Sequence, residues 1–354
     1  MRGSATGPIA VSSDTDAEDS GDEEAVTEFA YFCGHEQWHP EQLVEHARLA
    51  EQAGFDMLVV SEHFHPWVDD SSAAGFAWST IGAMAAVTNK VAFATGVTTP
   101  LWRYHPAVVA QAAATLDRLS AGRFNLGVGT GENINEGPLG FKFPGYTERA
   151  ARMSEALQIM RRLLDGEKLT FGGDYYQTDR AKLYSPPLGP VPIWLAAGGP
   201  KSAALAARLA DGIITSVKDP ATTNERVLGP ARKAADAVGR AAPRILATRW
   251  SVLAENEDEA WQALHPWRGL RAPGRLEAVD PADLRERADL LPREEVLGRY
   301  SIVSDSDQIV ETYRPLIESC SADVVTLQMT SMNQESLIKM LGSEVLPRLR
   351  AIAA

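Results

Sequence analysis

The sequence of 354 residues predicts an α/β protein built as a single TIM-type (β/α)8 barrel. Eight apolar segments with the length of strands alternate with amphipathic segments of helical period. No abrupt change of composition divides residues 25–354 into two domains. Because eight consecutive strand–helix units close a barrel more readily than they form an open sheet, we expect one closed domain over that range.

Each predicted strand is a short run rich in β-branched and aromatic residues, followed by glycine or polar residues. The eight strands are predicted at residues 28–33, 56–62, 91–99, 123–129, 191–197, 212–217, 244–254 and 322–329.

The predicted helices show apolar positions at helical spacing, with Gly54 ending the first and Pro106 able to start the third. They are predicted at residues 40–54, 77–89, 107–120, 146–166, 201–210, about 220–238 and 333–352. Two segments do not fit the repeat. Residues 167–190 indicate a hairpin, and residues 265–320 indicate extra helices with a short strand at 299–304, an insertion of the kind that shapes a pocket.

Composition excludes several classes of function. Residues 1–24 are small, polar and acidic, which predicts a disordered tail. The net charge of −13 argues against a nucleic-acid partner. With neither a run of about 18 apolar residues nor an export signal, we expect no membrane partner and a cytoplasmic protein. The distant cysteines, Cys33 and Cys320, are predicted to be free, and no metal site is expected.

Acidic and histidine side chains follow the first, second and fourth predicted strands. Glu36, His63 and Glu132 stand at these positions. In a barrel the active site forms where strands end, and imidazole and carboxylate groups exchange protons near neutral pH. A single histidine is more often structural, so the residues alone leave a structural and a catalytic interpretation of His63 open.

The segment Gly198-Gly199-Pro200 lies directly before a predicted helix. Exposed amides at a helix start favour a phosphate group, although a tight turn that needs glycine explains the same residues. The run GVGTGE at 127–132 is not a dinucleotide fingerprint, because Glu132 occupies the place of its third glycine.

Four runs resemble the luciferase-like superfamily, and most of all the branch of coenzyme F420-dependent glucose-6-phosphate dehydrogenases. They are VVSEHFHPW (59–67), TGVTTPLWRYHPAVVAQAAATL (95–116), GRFNLGVGTGENINE (122–136) and AAGGP (196–200). The resemblance extends from about residue 28 to the C-terminus. It implies coenzyme F420 at the barrel mouth, a small-molecule substrate and a homodimer.

The resemblance also implies roles for individual residues. His63 takes the proton of the substrate hydroxyl, Trp67 lines the pocket, Glu132 manages a proton at the coenzyme ring, and Glu36 lies close to the reacting centre. A strand 3 bulge with a cis peptide is implied at Gly96-Val97. The residues implied to bind the coenzyme are Glu62, Gly96, Val97, Thr130, Gly131, Asn135, Ala196, Ala197, Gly198, Gly199 and Pro200.

For the substrate, the resemblance places Thr215, Lys218, Arg275 and Arg299 around a phosphate group. Three cations favour a dianion such as a sugar 6-phosphate. Two features depart from the sugar-phosphate pattern. Residues 68–75 contain Asp69-Asp70, which is expected to repel a phosphate, and the end of the eighth strand reads QMTSMNQ, where the relatives present a histidine-containing loop.

Three alternatives stay open from the sequence. The first is an F420-dependent enzyme with another substrate, including a reductase of a ketone or unsaturated bond in a natural product. The second is a flavin mononucleotide-dependent monooxygenase of the same superfamily. The third is a barrel that sequesters coenzyme without turnover.

Overall fold

A computed structural model describes residues 27–354. The expectation of a disordered tail at 1–24 lies outside these residues. Eight parallel strands form a closed barrel in the spatial order β1-β2-β3-β4-β7-β8-β9-β11, with β11 pairing back onto β1. These strands are Glu28–Cys33 (β1), Met57–Val60 (β2), Ala92–Thr95 (β3), Phe124–Val128 (β4), Ile193–Ala196 (β7), Gly212–Ser216 (β8), Arg244–Leu253 (β9) and Val324–Thr330 (β11). The predicted fold class is confirmed.

Three further strands lie outside the barrel repeat. Leu169–Gly172 (β5) and Gln177–Ala181 (β6) pair antiparallel, which confirms the hairpin predicted within 167–190. Ser301–Val303 (β10) pairs parallel with residues 251–253 of β9, beyond the part of β9 that contacts β8. The predicted short strand at 299–304 therefore lengthens the wall of the barrel mouth.

Helices lie between the strands, within the insertion and after the last strand. They are Pro40–Gln52 (α1), Ala77–Val87 (α2), Pro106–Leu119 (α3), Asn133–Glu136 (α4), Tyr146–Leu164 (α5), Pro200–Leu209 (α6), Pro220–Thr223 (α7), Gly229–Asp236 (α8), Glu257–Ala263 (α9), Pro281–Asp289 (α10), Arg293–Leu297 (α11), Ser306–Glu318 (α12), Gln334–Met340 (α13) and Leu346–Ala353 (α14). Wider π-type turns join α7 to α8 and α13 to α14. None of the helices described between residues 27 and 354 combines the length and apolar character needed to cross a bilayer.

The insertion predicted at 265–320 includes one helix that belongs to the barrel itself. Residues 306–318 form α12, which packs against α14 and β11 as an ordinary outer helix of the barrel. The inserted part therefore ends before α12. It contains a 3-10 segment at His265–Arg271 together with α10, α11 and β10.

Alternation along the strands separates two layers of core. In β2, Met57 and Val59 face the barrel interior, whereas Leu58 and Val60 pack beneath the outer helices. Trp194 fills the interior and donates its indole N–H to Asn125 Oδ1 at 3.1 Å. Since the interior is filled by side chains, a ligand can enter only at the mouth.

Candidate functional site

The imidazole of His63 lies at the barrel mouth just after β2. Its Nδ1 is 3.0 Å from the carbonyl oxygen of His65, and a carbonyl can only accept a hydrogen bond. The neutral ring therefore carries its hydrogen on Nδ1, which leaves a lone pair on Nε2. That atom lies 3.4 Å from Glu36 Oε1 and 3.9 Å from Glu132 Oε2. The geometry provides a proton acceptor between two carboxylates.

Glu36 reaches His63 from the end of β1 and is buried. Ser61 Oγ donates to Glu36 Oε2 at 2.5 Å and accepts from the backbone N–H of His35 at 2.8 Å. The ring of His35 is held by the Ser61 carbonyl and the Thr80 hydroxyl, and burial lowers its pKa. His35 thus braces the turn, and Glu36 is the acid directed at the imidazole.

Glu132 and Trp67 complete the surroundings of the imidazole. The Trp67 ring centroid lies 4.8 Å from that of His63, and Trp67 is buried. Arg275 Nη1 donates to Glu132 Oε1 at 2.5 Å, and the Arg275 guanidinium lies 5.7 Å from the centre of the Trp67 ring. Arg275, expected from the sequence at a substrate phosphate, therefore lies beside a proposed catalytic acid.

Glu62 lies beside the end of β3, where the peptide bond between Gly96 and Val97 is cis. Thr98 Oγ1 donates to Glu62 Oε2. Thr98 is also fixed to β4, since its N–H donates to the Gly127 carbonyl at 2.9 Å. The strand predicted at 91–99 is regular only to Thr95, and the residues after it form the irregular edge of the mouth.

The turn after β4 carries Thr130, Gly131 and Asn135. Arg149 Nη1 donates to the carbonyls of Thr130 and Gly131 at 3.4 and 3.2 Å. Gly131 has φ +80°, a conformation that favours glycine. Asn135 Oδ1 accepts the backbone N–H of Phe64 at 2.8 Å, which ties this turn to the turn that carries His63.

The predicted phosphate-binding segment forms the link between β7 and α6. Ala196 ends β7, Ala197 donates its N–H to the Ile214 carbonyl at 2.9 Å, and Pro200 is the first residue of α6 after Gly199. A side chain at position 198 or 199 would meet nothing within 4 Å, so the backbone is open on this side.

An open cavity of about 470 Å³ borders this link. Gly198 lines it together with Thr215, Lys218 and Arg226. Neither Lys218 nor Arg226 forms an ion pair with a carboxylate of residues 27–354. Hydroxyl groups, free cations and open amides together suit a phosphate group.

A second cavity, of about 250 Å³, has a lining with four cations: Lys218, Arg249, Arg271 and Arg299. Arg299 is paired with Glu295, whereas Arg249 donates to Ser301 Oγ and to two backbone carbonyls. The structure thus brings Lys218 and Arg299 together as expected and leaves Arg275 outside this lining.

Sequence reasoning missed several residues of the mouth. Arg249 and Arg271 were missed because β9 and the insertion reach the same cavity only when the barrel closes. Two further residues are Arg103, after β3, and Glu136, at the end of α4. Arg103 Nη2 lies 3.4 Å from Glu62 Oε1, and its Nε lies 3.5 Å from Glu136 Oε2. The signal available was the arginine within TTPLWRYHP (98–106), which follows β3; this strand lies between β2 and β4, whose ends carry the acids Glu62 and Glu132.

The pair Asp69-Asp70 does not present free charge to the mouth, contrary to the expectation of repulsion. Asp69 Oδ1 accepts from Arg285 Nε at 2.6 Å, and Asp70 Oδ1 lies 2.8 Å from His265 Nε2. These contacts fasten the 68–72 loop to the insertion. Asp70 and Met332, which follows the eighth barrel strand, line one cavity of about 580 Å³, so the two sequence departures meet there.

Comparison of the sequence with known proteins finds a family model and close relatives. The family model described as luciferase-like monooxygenase matches residues 27–321. The chain is 37% identical to an F420-dependent glucose-6-phosphate dehydrogenase of Nakamurella multipartita, over 92% of this chain and 97% of that protein. It is 36% identical to the F420-dependent hydroxymycolic acid dehydrogenase of Mycobacterium tuberculosis, over 89% of this chain and 86% of that protein.

A solved structure gives the same result. An F420-dependent secondary alcohol dehydrogenase in complex with an F420-acetone adduct superposes with a TM-score of 0.86 at 31% identity, covering 92% of this chain and 99% of that one. Among residues 27–354, no group of three or more His, Cys, Asp or Glu side chains is arranged to hold a metal ion.

Proposed function

The chain belongs to the luciferase-like monooxygenase family, and from this membership and the geometry of the mouth we propose that it oxidises the hydroxyl group of a small-molecule alcohol. It is an oxidoreductase that depends on coenzyme F420. Relatives that match about nine tenths of its length are F420-dependent dehydrogenases. When bound, the deazaflavin supplies a carbon that accepts or releases hydride.

The observation that carries the proposal is the free lone pair on His63 Nε2, set by the bond from Nδ1 to the His65 carbonyl. Hydride loss from the alcohol carbon to a bound coenzyme would be accompanied by breaking of the O–H bond. His63 Nε2 takes the proton, and the alcohol becomes a carbonyl. The imidazolium is then stabilised by Glu36 and Glu132, whose carboxylates lie within 3.9 Å of Nε2.

Two further features support this assignment. Trp67 packs its ring against the imidazole and restricts its orientation. Ser61 donates to Glu36 and fixes that carboxylate toward the histidine. A base held by packing and hydrogen bonds needs less reorganisation when the proton moves.

The residues proposed to hold the coenzyme fit an anionic, planar group. The open link at Gly198-Gly199, where a side chain would meet nothing within 4 Å, suits its phosphate. The irregular edge at Gly96-Val97, with Glu62 beside it, is proposed to support the ring. Thr130, Gly131 and Asn135, in the turn after β4, are proposed to contact the coenzyme ring from that side.

We propose a phosphorylated alcohol, such as a sugar 6-phosphate, as the first substrate class. The cavity lined by Lys218, Arg249 and Arg271 supports it, because among residues 27–354 these three form no ion pair with a carboxylate. Several uncompensated cations around one small cavity favour a dianion. Lys218→Ala should then raise KM for glucose 6-phosphate at least tenfold and leave KM for a neutral secondary alcohol unchanged.

A larger neutral alcohol is the second substrate class. The cavity of about 580 Å³ is walled by Trp38 and Trp261, and its charged groups, Asp70 and Arg268, are paired with His265 and Asp289. Turnover of bulky neutral alcohols with none of glucose 6-phosphate would favour this class. Reduction of a ketone is the same chemistry run in the opposite direction, whereas reduction of an unsaturated bond would add hydride and a proton across that bond.

Flavin mononucleotide-dependent oxygenation is a separate candidate, favoured by the description of the family model. Titration of the protein with reduced flavin mononucleotide and with coenzyme F420 distinguishes the two. We expect tighter binding of F420. Tighter binding of the flavin would favour the monooxygenase.

The proposed reaction is tested by following the loss of F420 absorbance when alcohols are added. His63→Asn should retain coenzyme affinity and lose about 10²- to 10⁴-fold in kcat, since it removes the proton acceptor. His65→Asn, whose ring contacts the Val279 carbonyl, is the matched control and should stay within a few-fold of the wild type. Equal rates for the wild type and His63→Asn would refute the role of this imidazole. Coenzyme binding without turnover of any alcohol would favour sequestration.

We further propose a homodimer and a cytoplasmic location. The α2–α3 side of the barrel exposes Phe76, Val87, Val108 and Leu119, apolar side chains that a second copy would cover. Light scattering should give twice the mass of the chain, and Val108→Asp should reduce the measured mass toward that of one chain.

For the location, support comes from Cys33 and Cys320, which are buried free thiols typical of a reducing compartment. Cell fractionation tests it.

A further inference from the structure

Two buried carboxylates share one arginine beneath the mouth. Glu62, after β2, and Glu136, at the end of α4, have side chains that are 1% and 0% exposed. The Arg103 side chain, between β3 and α3, is 8% exposed and lies within 3.5 Å of both. These three residues, the acid–arginine–acid group, connect the turn that carries His63 with the turn that carries Glu132.

The surroundings of the two acids differ. Glu62 accepts a hydrogen bond from Thr98 Oγ1, whereas both carboxylate oxygens of Glu136 are buried without a hydrogen-bond partner among the described residues. The titratable groups that face Glu136 are Glu62 and Arg103, and Tyr104 lies beside the same group. One cation cannot compensate two buried anions, so one of the acids is expected to keep its proton.

We infer that Glu136 and Arg103 are positioning residues of the coenzyme site, and that Arg103 holds Glu62 in place only while Glu136 is protonated. A protonated Glu136 leaves the full charge of Arg103 for Glu62. When Glu136 loses its proton, the second carboxylate competes for the same guanidinium, and the hold on Glu62 weakens. Since Glu62 lies beside the Gly96-Val97 edge, coenzyme affinity follows the protonation of Glu136.

Burial supports the identity of the protonated acid. It raises the pKa of Glu136 to about 7, against the opposing effect of Arg103. Glu136 is therefore mostly neutral below neutral pH and mostly ionised a pH unit or more above it. The coupling is expected to show as weaker coenzyme binding on the alkaline side.

The inference rests on the proposed use of F420, and the test separates the two. The dissociation constant of F420 is measured by fluorescence titration of the full chain from pH 6 to 9. For the wild type we expect a rise of about tenfold from pH 6.5 to 8.5, a change of about 1.4 kcal/mol. Glu136→Gln, which mimics the protonated acid, should bind like the wild type at pH 6.5 and show little further change. The surface variant Glu344→Gln is the matched control and should keep the wild-type profile.

Glu136→Ala separates positioning from simple space filling. It leaves a cavity and removes the carboxyl group that faces Arg103, so it should bind weakly at every pH, whereas glutamine keeps the volume and a polar group toward Arg103 and rescues binding. Melting temperatures of the coenzyme-free variants report whether each one folds. Should Glu136→Gln fail to fold, the wild-type profile decides alone, and a flat profile overturns the inference.

Two other outcomes also decide. Identical pH profiles for the wild type and Glu136→Gln overturn the inference and leave the proposed function intact. Failure of the wild type to bind F420 at any pH overturns the proposed function, and the coenzyme role of the acid–arginine–acid group with it.

Discussion

Replacing Arg275 by alanine distinguishes a role beside Glu132, the proposed catalytic acid, from a role at the proposed substrate phosphate. The sequence resemblance favours the phosphate. In the structure, Arg275 donates to Glu132 Oε1 at 2.5 Å and is absent from the lining that contains Lys218, Arg249 and Arg271. Its loss should therefore disturb the orientation of Glu132, close to the imidazole of His63.

The size of the effect follows from exposure. A hydrogen bond between charged groups contributes about 1.5–3 kcal/mol when it is well shielded. The side chains of Arg275 and Glu132 are 33% and 27% exposed, so solvent screening reduces the expected value to about 1 kcal/mol. We expect kcat to fall about fivefold and KM for the alcohol to change by less than twofold.

Steady-state kinetics under saturating F420 measure both constants. Lys218→Ala is the matched comparison, since it removes one cation from the proposed phosphate cavity and should act on KM. An Arg275→Ala enzyme with unchanged kcat and a KM raised a hundredfold would refute our placement of Arg275 beside the acid. That result would instead support a contact between Arg275 and the substrate phosphate.

Two further predictions concern stability. Burial lowers the pKa of His46 to about 4. Below about pH 6.5 the unfolded chain therefore binds a proton at His46, whereas the folded protein binds it only near pH 4. Stability is thus lost as pH falls from 6.5 toward 4, by about 3 kcal/mol, and urea unfolding of His46→Phe should show a smaller loss. Gly127→Ala places a Cβ 1.9 Å from the Thr95 carbonyl and should lower stability by about 3 kcal/mol or more, whereas Gly172→Ala, with open space around it, should melt within about 2 °C of the wild type. A pH-independent difference in the first case, or equal melting in the second, would contradict the packing described.

The barrel could be predicted from the sequence because its signal is local and repeated. Each strand alternates between an interior and an outer layer, and each is followed by a helix of matching period. The end of the insertion could not be predicted, because α12 differs from α10 and α11 only in what it packs against. The pattern also marked β3 to residue 99, whereas regular pairing stops at Thr95, since propensity does not report the irregular turn that follows.

The site divides in the same way. Glu36, His63 and Glu132 could be selected because strand ends meet at one rim, and their distances agree with that expectation. Arg103 and Glu136 were missed, because no motif signals a charge shared between two loops. The tautomer of His63 is set by the position of the His65 carbonyl, and that position cannot be read from the sequence.

The strand order gives the mouth an electrostatic direction. The acids near the imidazole, Glu36 and Glu132, follow β1 and β4 on one arc of the barrel, whereas the uncompensated cations come from β8, β9 and the insertion on the other arc. A substrate with an anionic group and a hydroxyl group therefore has one favourable orientation, with its anion toward Lys218 and its hydroxyl toward His63. Reversed binding would place the anion against Glu36 and Glu132 and leave the cations unpaired. Charge separation across the ring would thus orient such a substrate with its hydroxyl toward the proposed base.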